Sequence, residues 1–169
     1  MRETVRLAKR FGVNIGAHPS WNDRENFGRK EISASPEEAE KLVFEQIKTL
    51  AAIAKEEGAV LTHVKPHGAL YNQSAKDVEL ANAIARAVKT SSVDLILVGL
   101  AGSRLIEAGR AVGIRVAAEG FPDRGYNVDG SLMSRLLPGA IIESPEKVAR
   151  HAVELIQTGG MDTLCLHGD

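Results

Sequence analysis

Stretches with apolar residues at helical spacing alternate along this chain with short β-prone runs, and capping signals mark where the helices begin. Ser35, Pro36 and Glu38 form an S-x-x-E capping box with proline in the first turn of "SPEEAEKLVFEQIKTLAAIAKEEG", and Gly58 ends that helix. Ser74 and Asp77 stand in the same relation at the start of "SAKDVELANAIARAVK", where Leu80, Ala81, Ile84 and Val88 share one face. Ser144 and Pro145 open "SPEKVARHAVELIQTGG", and shorter helices fit Glu3 to Arg10 and Ser103 to Ala111. Between them lie "GVNIGAH", "AVLTHVK", "DLILVG", "GIRVAAEG" and "DTLCLHG". This alternation predicts a parallel sheet with crossover helices. No linker, low-complexity segment or short repeat interrupts it, so residues 1–169 are read as one domain. The long irregular stretch "GFPDRGYNVDGSLMSRLLPGA", 120–140, is of the kind that commonly carries function.

Strand parity then sorts the side chains, because residues two apart share a face. Val13, Ile15 and Ala17 oppose Asn14, Gly16 and His18; Val60, Thr62 and Val64 oppose Leu61, His63 and Lys65. Ile114, Val116 and Ala118 oppose Arg115, Ala117 and Glu119, while Leu164 and Leu166 oppose Thr163, Cys165 and His167. Each of these strands has a mostly aliphatic face and a second face ending in an ionisable group at its carboxyl end. That is the pattern of a barrel whose outer face packs on helices and whose inner face turns polar toward the top. His18, Lys65, His67, Glu119, Asp123, His167 and Asp169 are therefore expected to converge on one mouth.

Composition narrows the class without naming a function. At 169 residues, 44% hydrophobic, 25% charged and a net charge of −1, the chain suits one soluble domain. Near-neutrality and the lack of a basic stripe argue against nucleic acid as a partner. The apolar run around "LILVGLAG" is far short of the ~20 residues that cross a membrane, so no membrane partner is expected. "MRETVRLAKRFG" does not read as a secretory signal. Cys165, the single cysteine, has no internal disulfide partner and fits a reducing compartment, which makes the cytoplasm the expected location.

Four of the five histidines lie at or beside strand carboxyl ends; His151 reads as a helix-face residue, and His63, one pair deeper than Lys65, as a brace for Lys65 or His67. Pro66 ends the strand and leaves His67 on a loop, where Gly68 permits close backbone approach. Several roles stay open for Lys65: a base with lowered pKa, a holder of an anionic group, or the partner of Glu119 or Asp169. Glu119 and Asp123 suit an acid/base pair, metal ligation or a lysine counterion, and Asp169 suits orienting an imidazole such as His167. A hard or borderline divalent ion fits the donor types, but "HVKPH" lies on a strand and loop and is no metal fingerprint. "GLAGSRLIEAG" lacks the residues of a phosphate-binding loop; "GLAGS" reads as a tight βα turn or a helix N-terminal anion contact.

"IGAHPSWNDRENFGRK", "HVKPHGALYN", "GLAGS", "EGFPDRGYNVDGSL" with Arg135 and Pro138 behind it, and "LCLHGD" occur in the order and spacing of the LamB/YcsF family, which the chain resembles from Met1 to Asp169. The resemblance implies an α/β fold, an irregular TIM-like (β/α) barrel of the glycoside hydrolase/deacetylase type. It also implies ATP-dependent hydrolytic opening of 5-oxo-L-proline (pyroglutamate) to L-glutamate, in concert with 5-oxoprolinase subunits B and C. ATP is the implied cofactor, with its site formed partly by a partner subunit, and a divalent metal stays open. The polar motif residues carried over are His18, Asp23, Arg29, Lys65, His67, Tyr71, Asp123, Arg124, His167 and Asp169. Combined with parity, this gives a catalytic set of His18, Lys65, His67, Glu119, Asp123, His167 and Asp169 and a substrate-binding set of Asp23, Arg29, Tyr71 and Arg124. Family members look to begin with a strand bearing an Asn/Asp/Gly/Glu motif and a Cys-Gly-Phe-His-x-Gly-Asp segment, and to continue past His-Gly-Asp with a further helix. Against that pattern the barrel is expected to be incomplete at both ends of this sequence. Two rival readings remain: a metal-dependent amide or N-acetyl-sugar deacetylase, and a non-catalytic subunit that captures a small carboxylate or serves as a scaffold.

Overall fold

Side-chain caps set the helix starts in the computed structural model, which describes residues 1–92 and 94–167. The elements are α1 (Arg2–Arg10), β1 (Ile15–Ala17), α2 (Pro36–Glu56), β2 (Leu61–Val64), α3 (Gly68–Ser74), α4 (Val78–Ser91), β3 (Ile96–Leu100), α5 (Arg104–Ala111), β4 (Arg115–Gly120), α6 (Pro145–Thr158) and β5 (Thr163–Leu164). Ser35 accepts from the Glu38 amide while the Glu38 carboxylate accepts from the Ser35 amide at 2.9 Å, the reciprocal box expected at α2. Ser103 and Ser144 cap α5 and α6 in the same manner, through the amides of Ile106 and Lys147.

One boundary differs from the sequence reading. Asp77, not Ser74, is the N-cap of α4, its side chain accepting from the Leu80 amide. Ser74 instead ends α3, donating its hydroxyl to the Tyr71 carbonyl at 3.0 Å. The expected loop after Pro66 is this short helix, with His67 as its N-cap residue. The close approach expected at Gly68 is present: its φ is 57°, the Gly28 carbonyl oxygen lies 2.4 Å from where a Cβ would stand, and the next amide, Ala69, donates to that oxygen at 2.9 Å.

All four strand pairings are parallel, and the strands run β1-β2-β3-β4-β5. Spatial order therefore equals chain order. Each crossover moves one place along the sheet, which curls as an arc of a (β/α) barrel. Among the described residues β1 pairs only with β2 and β5 only with β4, so the arc does not close. Its outer face carries Ala17, Val64 and Leu97, buried against Val43 and Ile47 of α2 and Ile84 and Val88 of α4. Burial of aliphatic side chains of this size contributes roughly 1.5–3 kcal/mol each. On the inner face a smaller cluster of Tyr71, Leu100 and Phe121, with Cys165 beside it, forms the floor beneath the strand ends.

Candidate functional site

A cavity of about 1400 Å³ opens where the strands end, and His18, Lys65, His67, Tyr71, Arg29, Arg124 and His167 all line it. The convergence expected from parity thus holds for the residues at the ends of β1, β2 and β5. Glu119 lies behind this lining, only 2% exposed, and meets the cavity through Lys65. Asp123 stands behind His167 in the same way.

Lys65 is the centre of the floor. Its ammonium nitrogen donates to Glu119 Oε2 at 2.7 Å and to Cys165 Sγ at 3.2 Å, and lies 5.0 Å from the Phe121 ring centroid and 5.9 Å from that of Tyr71. An ammonium has three donors, and among the described residues the third is left for a ligand in the cavity. Among the described residues, Glu119 Oε1 and Tyr71 Oη are buried without hydrogen-bond partners. Burial first, and then the Glu119 charge, push the Tyr71 phenol well above its ordinary range, although the two groups fall short of hydrogen-bond geometry. Cys165 is pushed up by burial, against the lowering effect of Lys65.

To one side of Lys65 sit two imidazoles. His18 Nδ1 lies 2.6 Å from the Lys65 carbonyl oxygen, His67 Nε2 lies 2.9 Å from the Phe27 carbonyl oxygen, and His18 Nε2 faces His67 Nδ1 at 3.0 Å. Desolvation, opposed in part by the hydrogen bond to the Lys65 carbonyl, lowers His18 to about 4, with His67, Lys65 and His167 adding charge repulsion. Water at the exposed edge of the ring tempers that shift without reversing its direction. Phe27, at a left-handed φ of 56°, reaches His67 because the 23–28 turn is organised by Asp23, whose Oδ1 accepts from the Asn26 side chain at 2.8 Å. Asp23 therefore shapes the wall rather than lining the cavity. Deeper, His63 Nδ1 lies 2.8 Å from Thr62 Oγ1 and its ring lies across Gly16; burial and the Lys65 charge lower its pKa.

On the other side His167 Nδ1 lies 2.7 Å from Asp123 Oδ2, which also accepts from the His167 amide at 3.1 Å. The ring stacks on Phe121 at 5.5 Å between centroids. Among the described residues the carboxylate on His167 is Asp123; Asp169, suited to that task from the sequence, lies outside the described residues. Arg124 donates to the carbonyls of Ala140 at 3.0 Å and Met133 at 2.7 Å, clamping the irregular loop as well as lining the cavity. His151 does more than cover a helix face: its Nδ1 lies 2.9 Å from the Pro122 carbonyl oxygen and its ring meets Tyr126 edge-on. Sequence reasoning passed over Phe121, which stacks under His167 and beside Lys65. Extending the β4 parity Arg115, Ala117, Glu119 by one more step reaches it.

Among the described residues no three His, Cys, Asp or Glu side chains are grouped to hold a metal ion. No helix among them is long and apolar enough to cross a membrane. The cavity has ample volume for a nucleotide beside a small ring compound, and Arg29, Lys76 and Arg135 lie along its lining.

Comparison with known proteins agrees over the whole chain. The sequence model of the LamB/YcsF family matches residues 1–169. A Pyrococcus furiosus protein, named as the A subunit of 5-oxoprolinase, is 46% identical over 181 aligned residues, covering 100% of this chain and 71% of its relative. The crystal structure of a lactam utilization protein from Thermus thermophilus superposes with a TM-score of 0.89 at 45% identity, over 97% of this chain and 71% of that one.

Proposed function

The chain belongs to the LamB/YcsF family, and from that premise we propose that it opens 5-oxo-L-proline to L-glutamate by ATP-dependent hydrolysis, working in the cytoplasm with 5-oxoprolinase subunits B and C. The observation that carries this reading is the Lys65 ammonium, fixed by Glu119 at the floor of the cavity with a donor to spare between two aromatic rings. A small ring bearing a carboxylate suits that floor. The rings of Phe121 and Tyr71 flank its apolar edge, and Lys65 receives an oxygen that is anionic or becomes so.

His167 is set to act on water. Asp123 accepts from Nδ1–H, which fixes the tautomer and leaves Nε2 as the proton acceptor. The attacking water loses a proton to that nitrogen as its oxygen adds to the lactam carbonyl carbon. ATP would be held along Arg29, Lys76 and Arg135 and would supply the phosphoryl group that makes a stable five-membered amide electrophilic. Reaction residues thus come from the ends of different strands, while the irregular loop held by Arg124 forms the opposite wall.

The test is glutamate release from 5-oxo-L-proline by this protein with ATP and its two partner subunits. Lys65→Met is expected to lower turnover by about 10³-fold, as loss of a charged donor at a developing anion does, while circular dichroism shows the fold retained. Turnover within a few-fold of wild type would remove Lys65 from the reaction, and absence of any ATP-dependent glutamate would remove the reaction from this chain.

A further inference from the structure

We propose that His18 and His67 act as one unit that holds a single shared proton and delivers it to the nitrogen released when the lactam opens. The choice of acceptor rests on the lactam-opening reading above; the shared proton follows from counting hydrogen bonds. A carbonyl oxygen only accepts, so His18 Nδ1, facing the Lys65 carbonyl at 2.6 Å, and His67 Nε2, facing the Phe27 carbonyl at 2.9 Å, both carry hydrogen. Two neutral imidazoles own two such protons, and the carbonyls use both. His18 Nε2 and His67 Nδ1, 3.0 Å apart, would then point lone pair at lone pair. One more proton turns that repulsion into an N–H···N hydrogen bond of ordinary length and makes the pair a monocation.

Its surroundings admit one charge and oppose a second. The Lys65 ammonium is matched by Glu119 at 2.7 Å, which offsets its repulsion of the pair. Lys65 from just past β2 and His167 from beyond β5 act on His18 electrostatically, and Arg29 lies over the Phe27 ring at 5.4 Å. Burial and these positive neighbours hold His18 down to about 4, so the two rings do not both become cationic near neutrality.

The chemistry balances. Water adds its hydroxyl to the carbonyl carbon of the phosphoryl-activated lactam, the ring C–N bond breaks, the departing nitrogen takes the shared proton to leave as an amine, and a second water releases the phosphoryl group from the resulting acyl phosphate as inorganic phosphate. Once the carbonyl carbon is tetrahedral the nitrogen is no longer an amide, and its freed lone pair takes the proton as the C–N bond breaks. Once the proton has gone, the facing lone pairs make the pair a strong acceptor. The proton that His167 took from water restores it through the cavity that all three rings line.

Two measurements test this separately. In the wild-type chain with ¹⁵N-labelled histidine at pH 7, imidazole ¹H–¹⁵N correlations should show three protonated nitrogens among the four of His18 and His67, unchanged by EDTA. Two neutral rings, or a signal pattern that chelation alters, would overturn the shared proton whatever the activity. In the partner-supplemented assay, His18→Asn, His67→Asn and the double variant should each lose about 10²–10⁴-fold in turnover, with KM little changed and the double no worse than the singles. Multiplying losses would show two independent residues and overturn the unit. A wild type that shows the three protonated nitrogens but no lactam opening would overturn delivery to a lactam nitrogen and the functional reading, leaving the shared proton standing.

Discussion

The two sides of Lys65 use the same side chain, imidazole, in opposite ways. On the β1–β2 side His18 and His67 are tied by their outer nitrogens to main-chain carbonyls and face one another. On the β4–β5 side His167 is tied to a carboxylate and laid flat on Phe121. A carbonyl fixes a tautomer without charge, whereas a carboxylate fixes the tautomer and also stabilises the imidazolium that forms when the ring takes a proton. The partner, and not the residue type, separates the two proposed roles, a ring pair that stores a proton and a ring that accepts one.

The sharpest way to break that contrast is Asp123→Asn. The amide keeps the shape but presents either a poor acceptor or a donor to His167 Nδ1, so the wrong nitrogen becomes the acceptor toward water. Turnover should fall by about 10³–10⁴-fold, with far less change in KM, in an assay of glutamate release. A fall of less than tenfold would mean that His167 is not oriented through Asp123.

Next in size is Glu119→Gln, which acts on the element the two sides share. Removing one charge of a largely buried ion pair leaves the other uncompensated; Lys65 retains 21% side-chain exposure, so the cost is taken at about 3 kcal/mol, the low end of the usual range. Denaturant titration at pH 7 reads it directly. A loss below about 1 kcal/mol would show the pair to be solvated like a surface bridge.

What the sequence made legible was decided by periodicity. A period of two put His18, Lys65 and His167 at one end of the sheet, because any strand of defined register must alternate. Caps located α2, α5 and α6 because Ser at the N-cap has one local partner, the amide three residues on. Three features were not legible from local pattern, two of them because they rest on contacts between distant segments. Helix α3 is anchored by tertiary contact, with the Ala69 amide bound to Gly28 and the Gln73 side chain accepting from the Trp21 indole at 2.7 Å. Asp123 reaches His167 across 44 residues, a contact that no local spacing announces. The Asp77 cap displaced Ser74 because α3 had already claimed Ser74 for its own last turn.

Gly16→Ala probes the β1–β2 side more gently. Gly16 is paired in register with His63, and a Cβ there would stand 2.1 Å from His63 Nε2. The ring cannot swing away without giving up its 2.8 Å contact to Thr62. Overpacking of this kind costs about 1–3 kcal/mol, and the variant's thermal midpoint should drop accordingly. His63→Asn should likewise act chiefly on stability, and combining it with Gly16→Ala should recover part of the loss by removing the obstructing ring. A double variant no more stable than Gly16→Ala alone would show that the clash is relieved elsewhere.

The smallest expected effect is a slope of stability with pH that belongs to the β1–β2 side. The folded value of His18, about 4, lies below its ordinary 6.5, and His63 is lowered from the same starting point by burial and the Lys65 charge. Below pH 6.5 the unfolded chain therefore binds protons that the folded chain refuses, and linkage makes the folded state lose ground as acid is added. The contribution, which concerns the proton beyond the one that His18 and His67 share, drains away as pH falls from about 6.5 toward 4. Between pH 6.5 and 5 most carboxylates, with reference values of about 4, remain ionised, so the slope in that window reports histidines. Solvent at the exposed edge of His18 screens the effect, which should be smaller than any of the substitution effects above. Urea midpoints at pH 6.5, 5.75 and 5 should decline in the wild type and decline less in His18→Asn and in His63→Asn. Parallel slopes in all three proteins would move the acid sensitivity away from this side of the mouth.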